Sequence, residues 1–211
     1  MLALLAVTAW TVGAATGQAA SQRPIKLVAF GDSLTAGFGL PPRQAFPAKL
    51  EQALRAAGLS VDVLNAGVSG DTTTAGLARL DWSIPDDTDA VIIELGANDA
   101  LRGIDPKLTR SALDEIVKRL RQRNIAVMLA GMYAPPNYGP EYSASFDQIY
   151  PDLAKVYDVP LYPFFLDGVA TDPKLNQKDG LHPSAEGVDV IVARILPVVN
   201  ALLTKVAAQR R

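Results

Sequence analysis

A chain of 211 residues, 49% hydrophobic and 20% charged, can bury one good core, so a single domain is the expectation. Its 20 Lys and Arg against 22 Asp and Glu leave a net charge of −2, interspersed along the chain, which argues against a nucleic-acid footprint. With no cysteine, thiol catalysis, disulfides and Cys-ligated metals are excluded, and a single histidine argues against a zinc site of the usual His-rich kind.

The first twenty residues differ from the rest. Met1 to Ala20 carry no charge, run apolar from Leu2 to Val12 and then turn to small residues. They read as a secretory signal cut after Ala19 or Ala20, which leaves residues 21–211 as one domain in the periplasm or outside the cell. No Lys or Arg precedes Arg23, so the usual basic start is missing. An uncleaved anchor and an upstream start codon are the competing readings, although the apolar run is short for a membrane span. The mature domain is expected to stay out of the membrane and to work as a monomer.

Past the leader, strand and helix patterns alternate. Ile25–Phe30 is a short buried strand ending in a Gly turn. Ala45–Ala57 has helical spacing through Phe46, Leu50, Ala53 and Leu54 and closes at Gly58. Val61–Leu64 is a second strand, Thr73–Asp81 a helix, and Ala90–Leu95 the clearest central strand. Asp105-Pro106 supplies a cap and a first-turn proline for a helix running to about Arg123, with Leu108, Ala112, Leu113, Ile116, Val117 and Leu120 on one face. Ile125–Ala130 is a fourth strand. A helix over about 141–157 is kinked or restarted by Pro151, Val159–Phe164 is a fifth strand, and Ser184 caps a final helix interrupted by Pro197. This alternation specifies a three-layer α/β/α sandwich on a five-stranded parallel sheet, with flavodoxin-like strand order.

Four stretches should then share one edge of the sheet: Gly31-Asp32-Ser33-Leu34, Gly67-Val68-Ser69-Gly70, Gly96-Ala97-Asn98-Asp99 and Asp179-Gly180-Leu181-His182. Open α/β sheets place ligands beyond the carboxyl ends of their strands. Acyl transfer needs a nucleophile, a base, a group that fixes the base tautomer, and donors where the oxyanion forms. Ser33 fits the nucleophile, and His182 is the one imidazole available to activate it. Asp179, three residues before His182, can hold the second ring nitrogen. The backbone N–H groups of Ser33 and Gly70 and the Asn98 amide can serve the oxyanion.

These blocks resemble the GDSL/SGNH hydrolases. The resemblance makes Ser33, Gly70, Asn98 and His182 the four residues of the SGNH name and Asp179 the third member of the triad. It extends over Ser69–Thr72, Gly76–Leu80, Glu94–Gly96, Leu101–Gly103, Pro136–Gly139, Tyr150-Pro151 and Pro160–Phe165. The flanks are similar to the bacterial periplasmic thioesterase/lysophospholipase/arylesterase subgroup. That subgroup implies hydrolysis of aryl and short- to medium-chain acyl esters, acyl thioesters and lysophospholipids, without a cofactor. It also implies a substrate groove between the loops after the third and fourth strands. Leu101, Arg102, Tyr133, Ala134 and Pro135 are therefore the candidate substrate contacts. Tyr133 and Ala134 stand where close relatives tend to carry a basic and a larger aliphatic residue, which implies a differently shaped acyl channel.

Two other functions compete. An O-deacetylase of carbohydrate or peptidoglycan would use the same groups on a smaller acyl chain. A non-catalytic module cradling an anion at Gly31–Thr35 would need neither His182 nor Asp179. Asp86, Asp87 and Asp89 read as a solvated acidic loop. Arg79 and Arg102 read as exposed ion pairs, or as contacts for a phosphate or CoA group. Asp32 is given no chemical role.

Overall fold

The computed structural model describes residues 23–210, so the signal-peptide reading of residues 1–20 lies outside the described residues. In chain order the elements are β1 (Ile25–Gly31), α1 (Ser33–Ala36), α2 (Phe46–Ala56), β2 (Val61–Gly67), α3 (Thr73–Ser83), β3 (Ala90–Glu94) and α4 (Ala97–Leu101). They continue with α5 (Pro106–Gln122), β4 (Ala126–Ala130), α6 (Pro140–Asp147), α7 (Ile149–Tyr157), β5 (Leu161–Tyr162) and α8 (Ala185–Gln209). All five strands are parallel, in the order β2-β1-β3-β4-β5. This is the flavodoxin-like order, and its direction reverses at β1/β3, the point where such sheets bind ligands.

Burial on both faces is what a parallel sheet demands. Leu27, Val28, Ala29 and Phe30 of β1 and all five residues of β3 are buried. Helices α2 and α8 pack on each other, and α3 and α7 pack on α5. The Asp105 carboxylate accepts the Lys107 N–H at 2.9 Å, capping α5 as its sequence requires. The face of α5 turns inward at Ala112, Leu113, Ile116, Val117 and Leu120, whereas Leu108 stands exposed in the first turn.

Prolines account for most departures from the sequence reading. β5 shrinks to Leu161–Tyr162 because Pro160 and Pro163 flank it and neither has an N–H for a ladder. Helices α6 and α7 part at Gln148, and Pro151 sits in the first turn of α7, where its missing N–H leaves no bond unmade. Pro197 does not interrupt α8. Both Pro197 and Ala193, whose carbonyl loses its helical partner, lie on the exposed side of the helix, open to solvent.

α8 is long and apolar enough to cross a membrane by composition, yet Ile191, Ile195, Val199 and Leu203 are buried in the core. At its end the Arg210 guanidinium donates to the Arg23 carbonyl at 2.9 Å. Asp89 is no solvated loop residue. Its carboxylate accepts from Arg23 at 2.7 and 2.9 Å and from the Lys26 backbone N–H at 2.7 Å, which ties the start of β3 to the start of β1.

Candidate active site

Ser33 opens α1 immediately beyond β1, so the strand delivers the hydroxyl to the switch-point edge. His182 reaches it from a loop 149 positions further on. Its Nε2 lies 2.9 Å from Ser33 Oγ, and its Nδ1 lies 2.7 Å from Asp179 Oδ2. The other Asp179 oxygen accepts the backbone N–H groups of Leu181 and His182, each at 3.0 Å. Those two bonds, followed by the one from the imidazole, hold the Asp179 carboxyl down at about 2. It is therefore ionised at neutral pH and fixes the tautomer with a proton on Nδ1, leaving Nε2 free to accept from the serine.

The histidine loop is braced from the side. Gln177 donates one amide to the carbonyls of Phe38 at 2.7 Å and Pro183 at 3.0 Å, while its backbone N–H donates to the His182 carbonyl at 2.7 Å. The Phe38 ring packs against the imidazole, tilted by 36°, with centroids 4.5 Å apart. Neither Phe38 nor Gln177 was singled out from the sequence, because each works through an ordinary side chain in a loop. The fraction of the side chain left exposed is 19% for His182 and 37% for Asp179, so the triad opens to solvent.

The remaining blocks gather around Ser33. Gly70 has φ +88°, in the left-handed region where a Cβ is strained, and its carbonyl accepts from Arg102 at 2.9 Å. Asn98, in the first turn of α4, donates its amide to Asp32 Oδ2 and to the Asp71 carbonyl, both at 3.0 Å. Its neighbour Asp99 is fully buried and accepts from Thr73 N, Thr73 Oγ1 and Thr109 Oγ1, pinning α4 to α3 and α5. Beneath Ser33, Glu94 is fully buried and accepts the Thr35 hydroxyl at 2.7 Å. Burial, with the Asp32 charge added, drives its carboxyl well above the ordinary range. A Cβ on Gly31 would stand 2.2 Å from the Thr35 hydroxyl oxygen and 2.5 Å from Glu94, so only glycine lets this carboxyl lie under the turn.

The arginines differ from their sequence reading. Arg79 is buried, not an exposed ion pair: it donates to Asp71 at 2.6 Å and to the Gly31 carbonyl at 2.9 Å, and lies 4.3 Å over the Phe30 ring. Arg102 is exposed but bonds a backbone carbonyl, that of Gly70. At the end of α4, Leu101 is exposed and its carbonyl accepts the Tyr138 hydroxyl at 2.9 Å. On the loop after β4, Tyr133 is exposed and stacked 4.9 Å from Phe164. There the Ala134 N–H donates to Asp147 at 2.9 Å and Pro135 leads into a short turn at Pro136–Tyr138. A separate cleft of about 630 Å³ opens where the strands begin, lined by Thr88, Arg121 and Lys205 among others, and holds no part of the triad.

The fold, with these groups on its switch-point edge, is that of a three-layer α/β serine esterase. Comparison with known proteins carries this further: the GDSL-like Lipase/Acylhydrolase family model matches residues 29–190, and the chain belongs to that family. It is 46% identical to an arylesterase of Vibrio mimicus over 80% of this chain and 84% of that protein. It is 38% identical to thioesterase 1/protease 1/lysophospholipase L1 of Escherichia coli K12, over 82% of this chain and 85% of that protein. The crystal structure of AlinE4, an SGNH-hydrolase family esterase, superposes with a TM-score of 0.72 at 48% identity, over 86% of this chain and 98% of that one.

Proposed function

We propose that Ser33 is the nucleophile of this esterase, His182 its base, and Asp179 the group that orients and stabilises the imidazolium. The Ser33 hydroxyl gives its proton to His182 Nε2 as Oγ bonds to the acyl carbon. The carbonyl electron pair becomes an oxyanion facing the backbone N–H groups of Ser33 and Gly70 and the Asn98 amide. Collapse expels the alcohol, phenol or thiol, which takes the proton from His182 and leaves an acyl-serine. Water, deprotonated by the same imidazole, attacks the acyl carbon in turn and restores the free serine and a carboxylic acid.

The observation that carries this reading is the continuous contact from Asp179 through His182 to Ser33, at 2.7 and 2.9 Å. The substrates are aryl and short- to medium-chain acyl esters, with acyl thioesters and lysophospholipids beside them, in keeping with the names of the two relatives above. Leu101, Arg102, Tyr133, Ala134 and Pro135 form the walls of the acyl groove, a reading supported by the exposure of Leu101 at the end of α4 and of Tyr133 on the loop after β4. The enzyme needs no cofactor. It is exported to the periplasm or outside the cell behind the apolar leader of residues 1–20, and works there as a monomer.

A panel of p-nitrophenyl esters and acyl-CoAs from C2 to C16, assayed on the wild type and Ser33→Ala, tests this. Turnover should extend beyond acetyl and fall by at least about 10³-fold in the variant, with folding unchanged. Activity confined to acetyl groups would move the reading to an O-deacetylase, and turnover retained in Ser33→Ala would end it.

A further inference from the structure

One buried charge has no part in the mechanism above. Asp32 is fully buried, between the end of β1 and the nucleophile. Its Oδ1 accepts the Leu34 N–H at 3.0 Å and caps α1. Capping alone does not require a carboxylate, because Ser, Thr and Asn cap about as well. Burying an anion for that purpose would only cost stability. The second oxygen supplies the reason. Oδ2 accepts the Asn98 amide at 3.0 Å, across 66 positions of sequence.

The orientation of that amide follows from its surroundings. Asn98 Nδ2 faces a carboxylate oxygen on one side and the Asp71 carbonyl on the other, each at 3.0 Å. Turned over, the amide would set its own oxygen against two acceptors, so it stays with its N–H groups toward them. The N–H resting on the Asp71 carbonyl is the one that can pass to an oxyanion beside Gly70. The bond to Asp32 remains and keeps the amide from rotating.

We propose that Asp32 is a positioning residue for ester cleavage: its carboxylate, clamped to the first turn of α1, holds the Asn98 amide in the orientation that donates to the oxyanion. This rests on the serine-esterase reading above. The anionic form is the one that accepts from Asn98, and burial lifts the Asp32 carboxyl to about 6. The charged groups that bear on it are His182 from the last loop, Asp71 beyond β2, and Glu94 at the end of β3; Asp71 is itself paired with Arg79 of α3. His182, when protonated, favours the anion, while Asp71 opposes it.

Asp32→Asn separates the two duties. Asparagine keeps an oxygen for the Leu34 N–H but presents an amide to Asn98, donor against donor, and the Asn98 amide turns over. The experiment compares Asp32→Asn, Asn98→Ala, the double variant and Ser33→Ala on one p-nitrophenyl ester. Loss of an oxyanion donor typically costs about 10²–10³ in kcat, and Asp32→Asn should approach that with KM little changed. The double variant should be no slower than Asn98→Ala alone, because Asp32 acts through Asn98. As pH falls through about 6, kcat/KM of the wild type should drop more steeply than that of Asp32→Asn, which lacks the Asp32 proton.

Asp32→Ser, which keeps the cap and cannot reach Asn98, should repeat the loss if Asp32→Asn folds poorly; circular dichroism and a cooperative thermal melt report folding in each variant. Wild-type kcat in a folded Asp32 variant, or losses that multiply in the double variant, would overturn the proposal. A Ser33→Ala variant that keeps its activity would instead remove the serine-esterase reading itself.

Discussion

The same carboxylate sets a test of stability that is independent of turnover. Asp32 is fully buried, and desolvation raises its carboxyl from an ordinary 3.8 to about 6. At 1.36 kcal/mol per unit, two units correspond to about 3 kcal/mol. A carboxyl raised on folding binds its proton more tightly in the native state than in the unfolded one. Its contribution is thus fully favourable below about pH 4 and is lost as pH rises through about 6. Asp32→Asn cannot titrate there. Whatever constant penalty the lost Asn98 bond imposes, the pH-dependent part of the difference should remain. Urea unfolding of wild type and Asp32→Asn at pH 4, 5, 6 and 7 measures it. The stability difference should move by about 2 kcal/mol in favour of the variant across that range, the rest of the shift lying below pH 4. A difference that stays flat with pH would refute the reasoning, since Asp32 would then have the same proton affinity folded and unfolded.

Asp179→Asn should leave the melting temperature almost unchanged and lower kcat by about 10³–10⁴-fold, because an amide N–H facing Nδ1 forces the imidazole proton onto Nε2. Steady-state kinetics near pH 8 checks this, and a loss under tenfold would contradict the role assigned to Asp179. Gly70→Ala finds open space, with only Arg102 Nη2 at 4.0 Å, so its penalty is the positive φ itself, about 1–2 kcal/mol. Its kcat should fall further than that strain accounts for, as the N–H at this position is re-aimed. Calorimetry and kinetics on one preparation separate the two effects.

Much of this architecture is legible in one dimension. The run Ile25–Phe30 followed by Gly-Asp-Ser marks a strand feeding a turn, and the structure continues the strand one residue further, to Gly31. Asp179 and His182 stand three apart, so their pairing needs only a local turn. The single histidine leaves one partner for Ser33 however far apart the two lie in sequence. What escapes the sequence is the meeting of polar side chains from distant elements. Nothing in Asp32 or Asn98 alone announces a bond across 66 positions, and nothing in Arg79 announces that it will be buried against Phe30. Proline misleads in the other direction. Pro197 reads as a break because local sequence does not tell which side of a helix faces water, and on the wet side the freed carbonyl is open to solvent.

The bond between the Arg210 guanidinium and the Arg23 carbonyl brings the two ends of the described chain together at the edge where β1 starts. The hydrolytic groups lie beyond the opposite ends of the strands. A short bridge closing the backbone into a ring would therefore pass nowhere near Ser33 and His182. New termini could then be opened in a surface turn such as the one around Gly58. For the same reason, an enzyme tethered to a solid support by the end of its last helix would present Ser33 and His182 to the bulk solution.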